Sequence, residues 1–239
     1  MRDRLAKKFV LLLLLSQIHT SAFGYKPESK KARALESKNN SGDKLSGNSD
    51  KAATMEKNLY DYHLAGPDGK DISLANFKGK VILLVNLARE SSYGSQLSAL
   101  IKLSDMYKDK GLVVIGVPSN DFGACEPGTD AEIQKIYKID DKVSFPVMGR
   151  STLIGEEEIP LYSYLTKGKG ALPGGDIHWN YTKFLIDRNG RAIARFKPDV
   201  APDSAEMLAT LDEIFSGTYK PALPGRQKPS SSDESMGTI

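Results

Sequence analysis

The chain has 239 residues, 40% of them hydrophobic, and a formal net charge of +3 at pH 7. That length allows one sizeable domain with appendages, or two very small domains, and there is ample apolar material for one core. The weak basic excess lies mostly before residue 60 and gives no case for nucleic-acid binding; a single cysteine, Cys125, excludes a disulfide framework and a cysteine-rich metal site.

The N-terminus comes first. Arg2, Arg4, Lys7 and Lys8 precede the apolar run 9–15, and small residues follow at Ala22 and Gly24. This pattern predicts a secretory signal peptide over residues 1–24. The apolar run is too short to cross a bilayer, so no stable membrane insertion is expected, and the mature protein is read as secreted or periplasmic. Residues 25–57 are rich in Lys, Ser, Asn and Gly. Such a segment buries too little surface to offset its ordering entropy and is expected to be a disordered spacer. The tail over 218–239, with Pro221, Pro224 and Pro229, is expected to behave likewise.

A folded domain is expected over 58–217. Residues 59–64 and 71–74 flank Gly66-Pro67-Asp68-Gly69 and predict a short hairpin carrying His63 on its edge. The unbroken apolar run from Val81 to Ala88 has the length and pattern of a strand buried on both faces. Leu97, Leu100, Ile101, Met106 and Tyr107 then recur at helical spacing, and Gly111 closes that helix. The turn Arg89–Tyr93 is thus expected where a central strand meets a helix N-terminus. A thiol there would ionise easily, yet the chain carries Ser91 and Ser92. A second buried strand over 112–117 makes a right-handed parallel unit. A helix over about 129–138, an extended piece at 145–148 and a short helix at 161–165 come next. Residues 179–186 and 192–196 flank Asn189-Gly190, a strong hairpin cue, and an amphipathic helix ends at Gly217. This order predicts an α/β thioredoxin-like fold, a mixed central sheet flanked by helices. None of His19, His63 and His178 has metal-ligand spacing, and no cofactor or metal is expected.

Several motifs in this order resemble the glutathione peroxidase family. They are Gly79-Lys80-Val81 through Val85-Asn86-Leu87-Ala88, then 110–116, then Pro118-Ser119-Asn120-Asp121-Phe122-Gly123 with Glu126-Pro127-Gly128, and finally Trp179-Asn180-Tyr181-Thr182-Lys183-Phe184-Leu185. The resemblance implies hydroperoxide reduction by a cysteine or selenocysteine in the first turn, surrounded by a glutamine, a tryptophan and an asparagine. On this chain it places Ser91 at the nucleophile's position and Asp121 at the glutamine's, with Trp179 and Asn180 completing the set. Thiol-dependent members also carry a resolving cysteine, and the region around Tyr137 has none.

Peroxide reduction needs a thiolate or selenolate that becomes a sulfenic or selenenic acid, and a serine hydroxyl has no such step. Asp121 also sets a carboxylate where the family has a neutral amide, which would disfavour a thiolate. Two kinds of function stay open. One is an exported peroxidase, degenerate at Ser91 or working through Cys125, with glutathione or thioredoxin as reductant. The other is a non-catalytic thiol- or protein-binding module. Ser91 with Ser92 also fits a plain helix N-cap. A hydrolase triad of Ser91, His178 and Asp121 is disfavoured, because no nucleophile-elbow glycines surround Ser91. The short loop from Tyr164 to Trp179 resembles that of monomeric members, so a monomer is expected.

Overall fold

The computed structural model describes residues 57–168 and 171–220. The expected signal peptide, nearly all of the spacer and most of the tail lie outside the described residues.

Strand β3 (Val81–Leu87) is buried at every position, as its continuous apolar run requires. It pairs in parallel with β4 (Leu112–Pro118) and antiparallel with β5 (Lys183–Ile186), which pairs antiparallel with β6 (Ala192–Phe196). The four-stranded order is therefore β4-β3-β5-β6, a mixed sheet. Alternation along β3 feeds two cores. Val81, Leu83, Val85 and Leu87 join Leu100, Leu103 and Tyr107 of α1 (Gln96–Tyr107) and Met207 and Leu211 of α4 (Ala205–Ser216). Ile82 and Leu84 join Leu161, Tyr162 and Leu165 of α3 (Pro160–Thr166), together with Leu59, Leu64 and Leu74. Helices thus cover both faces of the sheet, the thioredoxin-like arrangement the element order predicts.

Several boundaries differ from the sequence reading. The N-terminal hairpin pairs only β1 (His63–Ala65) with β2 (Asp71–Ser73); Leu59–Asp61 and Leu74–Phe77 are 3₁₀ turns. Asn58 caps the first of these and Ser73 the second, so side-chain acceptors take backbone N–H groups that a strand would have paired. His63 is exposed on β1, as expected. Helix α2 covers only Asp130–Lys135 and continues as a π-helical turn, Ile136–Asp140. Its start is fixed by a capping box between Thr129 and Glu132. Helix α1 runs into a 3₁₀ turn and stops at Gly111, whose φ of 98° is left-handed; Gly217, at φ 76°, ends α4 in the same way.

Candidate active site

Three segments meet at the C-terminal ends of β3 and β4, the edge where a parallel pair releases its loops. The Ser119 amide donates to Leu87 O at 3.0 Å and the Glu90 amide to Cys125 O at 2.9 Å, tying the two exit loops together. Asn86 draws in the third segment. Its Oδ1 accepts the Thr182 amide at 2.8 Å and its Nδ2 donates to Trp179 O at 3.3 Å. A buried asparagine side chain thus supplements the backbone bonds just beyond the last β3–β5 pair, Val85 with Lys183. The expected strand over 179–186 accordingly begins only at Lys183. Tyr181, fully buried, sits at a left-handed φ of 62°, a conformation that a bulky side chain rarely adopts and that cannot continue a strand. Its amide donates to Asn86 O at 2.8 Å, which holds it there.

The turn that carries Ser91 leads into the helix: the Gly94 amide donates to Ser91 O at 2.8 Å, the Gln96 amide to Tyr93 O at 2.9 Å and the Leu97 amide to Gly94 O at 3.1 Å. Ser91 Oγ accepts the Tyr93 amide at 3.2 Å, a serine turn, and α1 begins only at Gln96 after Ser95. Arg89–Tyr93 lies between the central strand and the helix N-terminus as expected, but the reading of Ser91 or Ser92 as the helix cap is corrected: Ser95 holds that position. The turn is tight: a Cβ on Gly94 would fall 2.8 Å from Arg89 O and 3.1 Å from Ser91 O. Ser91 is itself nearly buried.

Asp121 turns elsewhere. Its Oδ2 accepts the Leu153 amide at 2.6 Å, and its own amide donates to Ser119 Oγ at 3.3 Å. Asn180 is fully buried; its Nδ2 donates to Phe122 O at 2.9 Å, while its Oδ1 has no partner among the described residues. Trp179 is 38% exposed and its ring lies over Gly123. A Cβ on Gly123 would meet Trp179 Cη2 at 3.2 Å and Cys125 Sγ at 3.4 Å, so the ring and the thiol converge on one spot. The Cys125 thiol donates to Gly123 O at 3.4 Å. Trp179, Asn180 and Cys125 therefore gather around the loop after β4. Ser91 is bonded within its own turn and Asp121 to the loop at Leu153. His178 is exposed and hydrogen-bonds to neither, so the hydrolase triad is not assembled. Among the described residues no three His, Cys, Asp or Glu side chains could hold a metal ion.

One cluster has no counterpart in the sequence reading. Glu126 is fully buried, and its carboxylate accepts from Arg89 Nε at 2.6 Å, the Arg89 amide at 2.7 Å and the Tyr137 hydroxyl at 2.9 Å. Burial pushes the Glu126 carboxyl above its ordinary value, opposed by the Arg89 and Tyr137 bonds. Burial, reinforced by the Glu126 charge, pushes the Tyr137 hydroxyl far upward, which keeps it a donor. The cue available in the sequence was a glutamate in an otherwise small, turn-forming stretch, with nothing local to say that it points inward.

The glutathione peroxidase family model matches residues 59–166. A probable phospholipid hydroperoxide glutathione peroxidase of Mesembryanthemum crystallinum is 38% identical over 151 residues, covering 63% of this chain and 89% of that protein. The chain belongs to the glutathione peroxidase family. A glutathione peroxidase of Lactococcus lactis subsp. cremoris is 39% identical over 150 residues, 62% of this chain and 95% of the relative. Among solved structures, T. cruzi GPX1 superposes with a TM-score of 0.53 at 28% identity, covering 69% of this chain and all of that one, 100%. These relatives support a peroxidase, oxidative-stress role for the family fold seen here. Within such a fold, only Cys125 offers thiol chemistry, since it is the chain's one cysteine. A sulfenic acid formed on it would find no second thiol in the chain.

Proposed function

We propose that this is an exported glutathione peroxidase-family protein of hydroperoxide defence whose ancestral centre, at Ser91, no longer reacts with peroxide. The observation that carries this reading is the use made of the two departed positions. Ser91 Oγ accepts the Tyr93 amide and Asp121 Oδ2 accepts the Leu153 amide, so both side chains serve the backbone. Neither supplies a nucleophile that peroxide can oxidise. Trp179 and Asn180 are then the retained part of the site, packed on the loop after β4. The signal-like N-terminus supports secretion or export to a periplasm, and the short segment between Tyr164 and Trp179 supports a monomer. Sedimentation of the purified protein as a tetramer would overturn the last point.

A second reading is favoured by the meeting of Cys125 Sγ and the Trp179 ring over Gly123. In it the Cys125 thiolate attacks the hydroperoxide, breaking the O–O bond; the sulfur becomes a sulfenic acid and the alkoxide leaves as alcohol after taking a proton. Two external thiols, from glutathione or a thioredoxin, then return the sulfur to thiol, giving a disulfide and water. One experiment separates the readings. Peroxide consumption by the mature protein is measured with glutathione and with a thioredoxin system, beside Cys125→Ser. Turnover lost in the variant establishes a relocated thiol peroxidase. No turnover in either protein supports a degenerate member, and turnover that survives in Cys125→Ser would defeat both readings.

A further inference from the structure

The Arg89–Glu126 pair joins the halves of the site. Arg89 belongs to the turn that holds Ser91, and Glu126 follows Cys125 in the loop that holds Asp121. Arg89 grips that loop at three points: its amide and its Nε bond the Glu126 carboxylate, and its Nη2 donates to Pro127 O. The neighbouring Glu90 amide holds Cys125 O at 2.9 Å, and the Glu126 amide holds Asn120 Oδ1 at 2.8 Å. Moving the turn without the loop would leave a carboxylate buried without its countercharge, which is strongly unfavourable. The two segments are therefore bound to move together.

We propose that Arg89 is a positioning residue that locks the Arg89–Tyr93 turn to the Asn120–Gly128 loop and thereby fixes the Cys125 thiol beside Gly123, on which the Trp179 ring also packs. Cys125 is pinned at its carbonyl by the Glu90 amide and at the next residue by Arg89, while upstream Asn180 Nδ2 holds Phe122 O at 2.9 Å. Its Sγ is thus directed back to Gly123 O, beside the ring. The left-handed backbone at Gly123 (φ 73°) and Ala124 (φ 52°) makes that reversal, and such a turn needs firm anchors on either side. The catalytic consequence rests on the Cys125 reading; the positioning does not.

The chain provides two unique reporters, its one cysteine and its one tryptophan. Alkylation of Cys125 by iodoacetamide is followed across pH, so that the rate on the thiolate is separated from thiol ionisation, and Trp179 emission is recorded alongside. Arg89→Gln is expected to raise the thiolate rate about fivefold by local opening of the loop and to shift the emission. Arg89→Lys, which keeps the charge on Glu126 but not the fork, is expected to recover part of both. A folded Arg89→Gln protein with unchanged rate and emission overturns the proposal. If Arg89→Gln does not fold, hydrogen exchange in the unsubstituted protein decides. Alkylated Cys125 is expected to speed exchange of the Arg89 and Glu90 amides, because coupling is reciprocal, and unchanged exchange overturns the lock. Peroxide turnover is measured separately. An altered alkylation rate without turnover removes the Cys125 chemistry and leaves the positioning intact.

Discussion

The Asp121 carboxylate accepts the amide of Leu153 at 2.6 Å, joining the loop after β4 to a segment that ends at α3. A charged acceptor on a backbone amide makes a short, strong bond. At the position where the resemblance expects a neutral amide, this chain therefore has a loop tie.

Restoring a thiol with Ser91→Cys is expected to give a peroxide-oxidisable sulfur, trapped by a sulfenic-acid reagent and identified by mass spectrometry. Adding Asp121→Gln is expected to speed its oxidation, since a carboxylate in reach of position 91 would disfavour a thiolate there. The same change weakens the bond to Leu153 and costs about 1 kcal/mol of stability. Should the double variant oxidise no faster than the single one, the Asp121 charge does not reach position 91.

Gly123→Ala tests the close approach of Trp179. The added methyl meets the ring at 3.2 Å and sits on a backbone with φ of 73°. We expect a loss of about 1–2 kcal/mol in urea unfolding, from left-handed strain plus the contact, together with a shift in tryptophan emission. An unchanged emission maximum would mean that the ring does not rest on this loop in solution.

Asn180→Asp probes the buried end of the site. The side chain is fully enclosed, with Nδ2 bonded to Phe122 O and Oδ1 without a partner among the described residues. Replacing the amide with a carboxylate removes the donor and opposes a carbonyl with an acceptor. The expected destabilisation is about 2–4 kcal/mol at neutral pH, shrinking under acid conditions as the new group takes up a proton. A variant as stable as the parent at neutral pH would place Asn180 in contact with water.

Lys183 gives a pH dependence. It is buried, its Nζ donates to Pro198 O at 3.2 Å and to Val200 O at 2.5 Å, and burial pushes its pKa down to about 8, partly offset by Asp199. Between that value and the ordinary lysine range the unfolded chain binds more protons than the folded one, so this group adds stability as pH rises. Below about pH 8 both states are charged and the group costs stability by a constant amount. Relative to Lys183→Met, the unsubstituted protein is expected to gain up to about 3 kcal/mol between pH 8 and pH 10.5. Parallel stability curves for the two proteins across that range would refute the shift.

Much of the fold was legible in the chain. The runs 81–88 and 112–117 read as buried strands, because their apolar residues are continuous and of strand length. Gly111 and Gly217 ended helices, and Asn189-Gly190 turned a hairpin, each through backbone preferences local to a few residues. The family resemblance likewise followed from contiguous motifs. Tertiary structure decided what local preference could not encode. Tyr181 is held in a left-handed conformation by Asn86, near the end of β3 and distant in sequence, which accepts its amide, and β5 begins only at Lys183. Ser91 ended in a serine turn before Gly94 instead of at a helix cap. Glu126 reads as one more charge in a loop until Arg89 and Tyr137 enclose it. Spacing and periodicity report which face of an element is apolar. The direction of a polar side chain is set by partners distant in sequence, since a buried donor or acceptor must find one wherever the fold provides it.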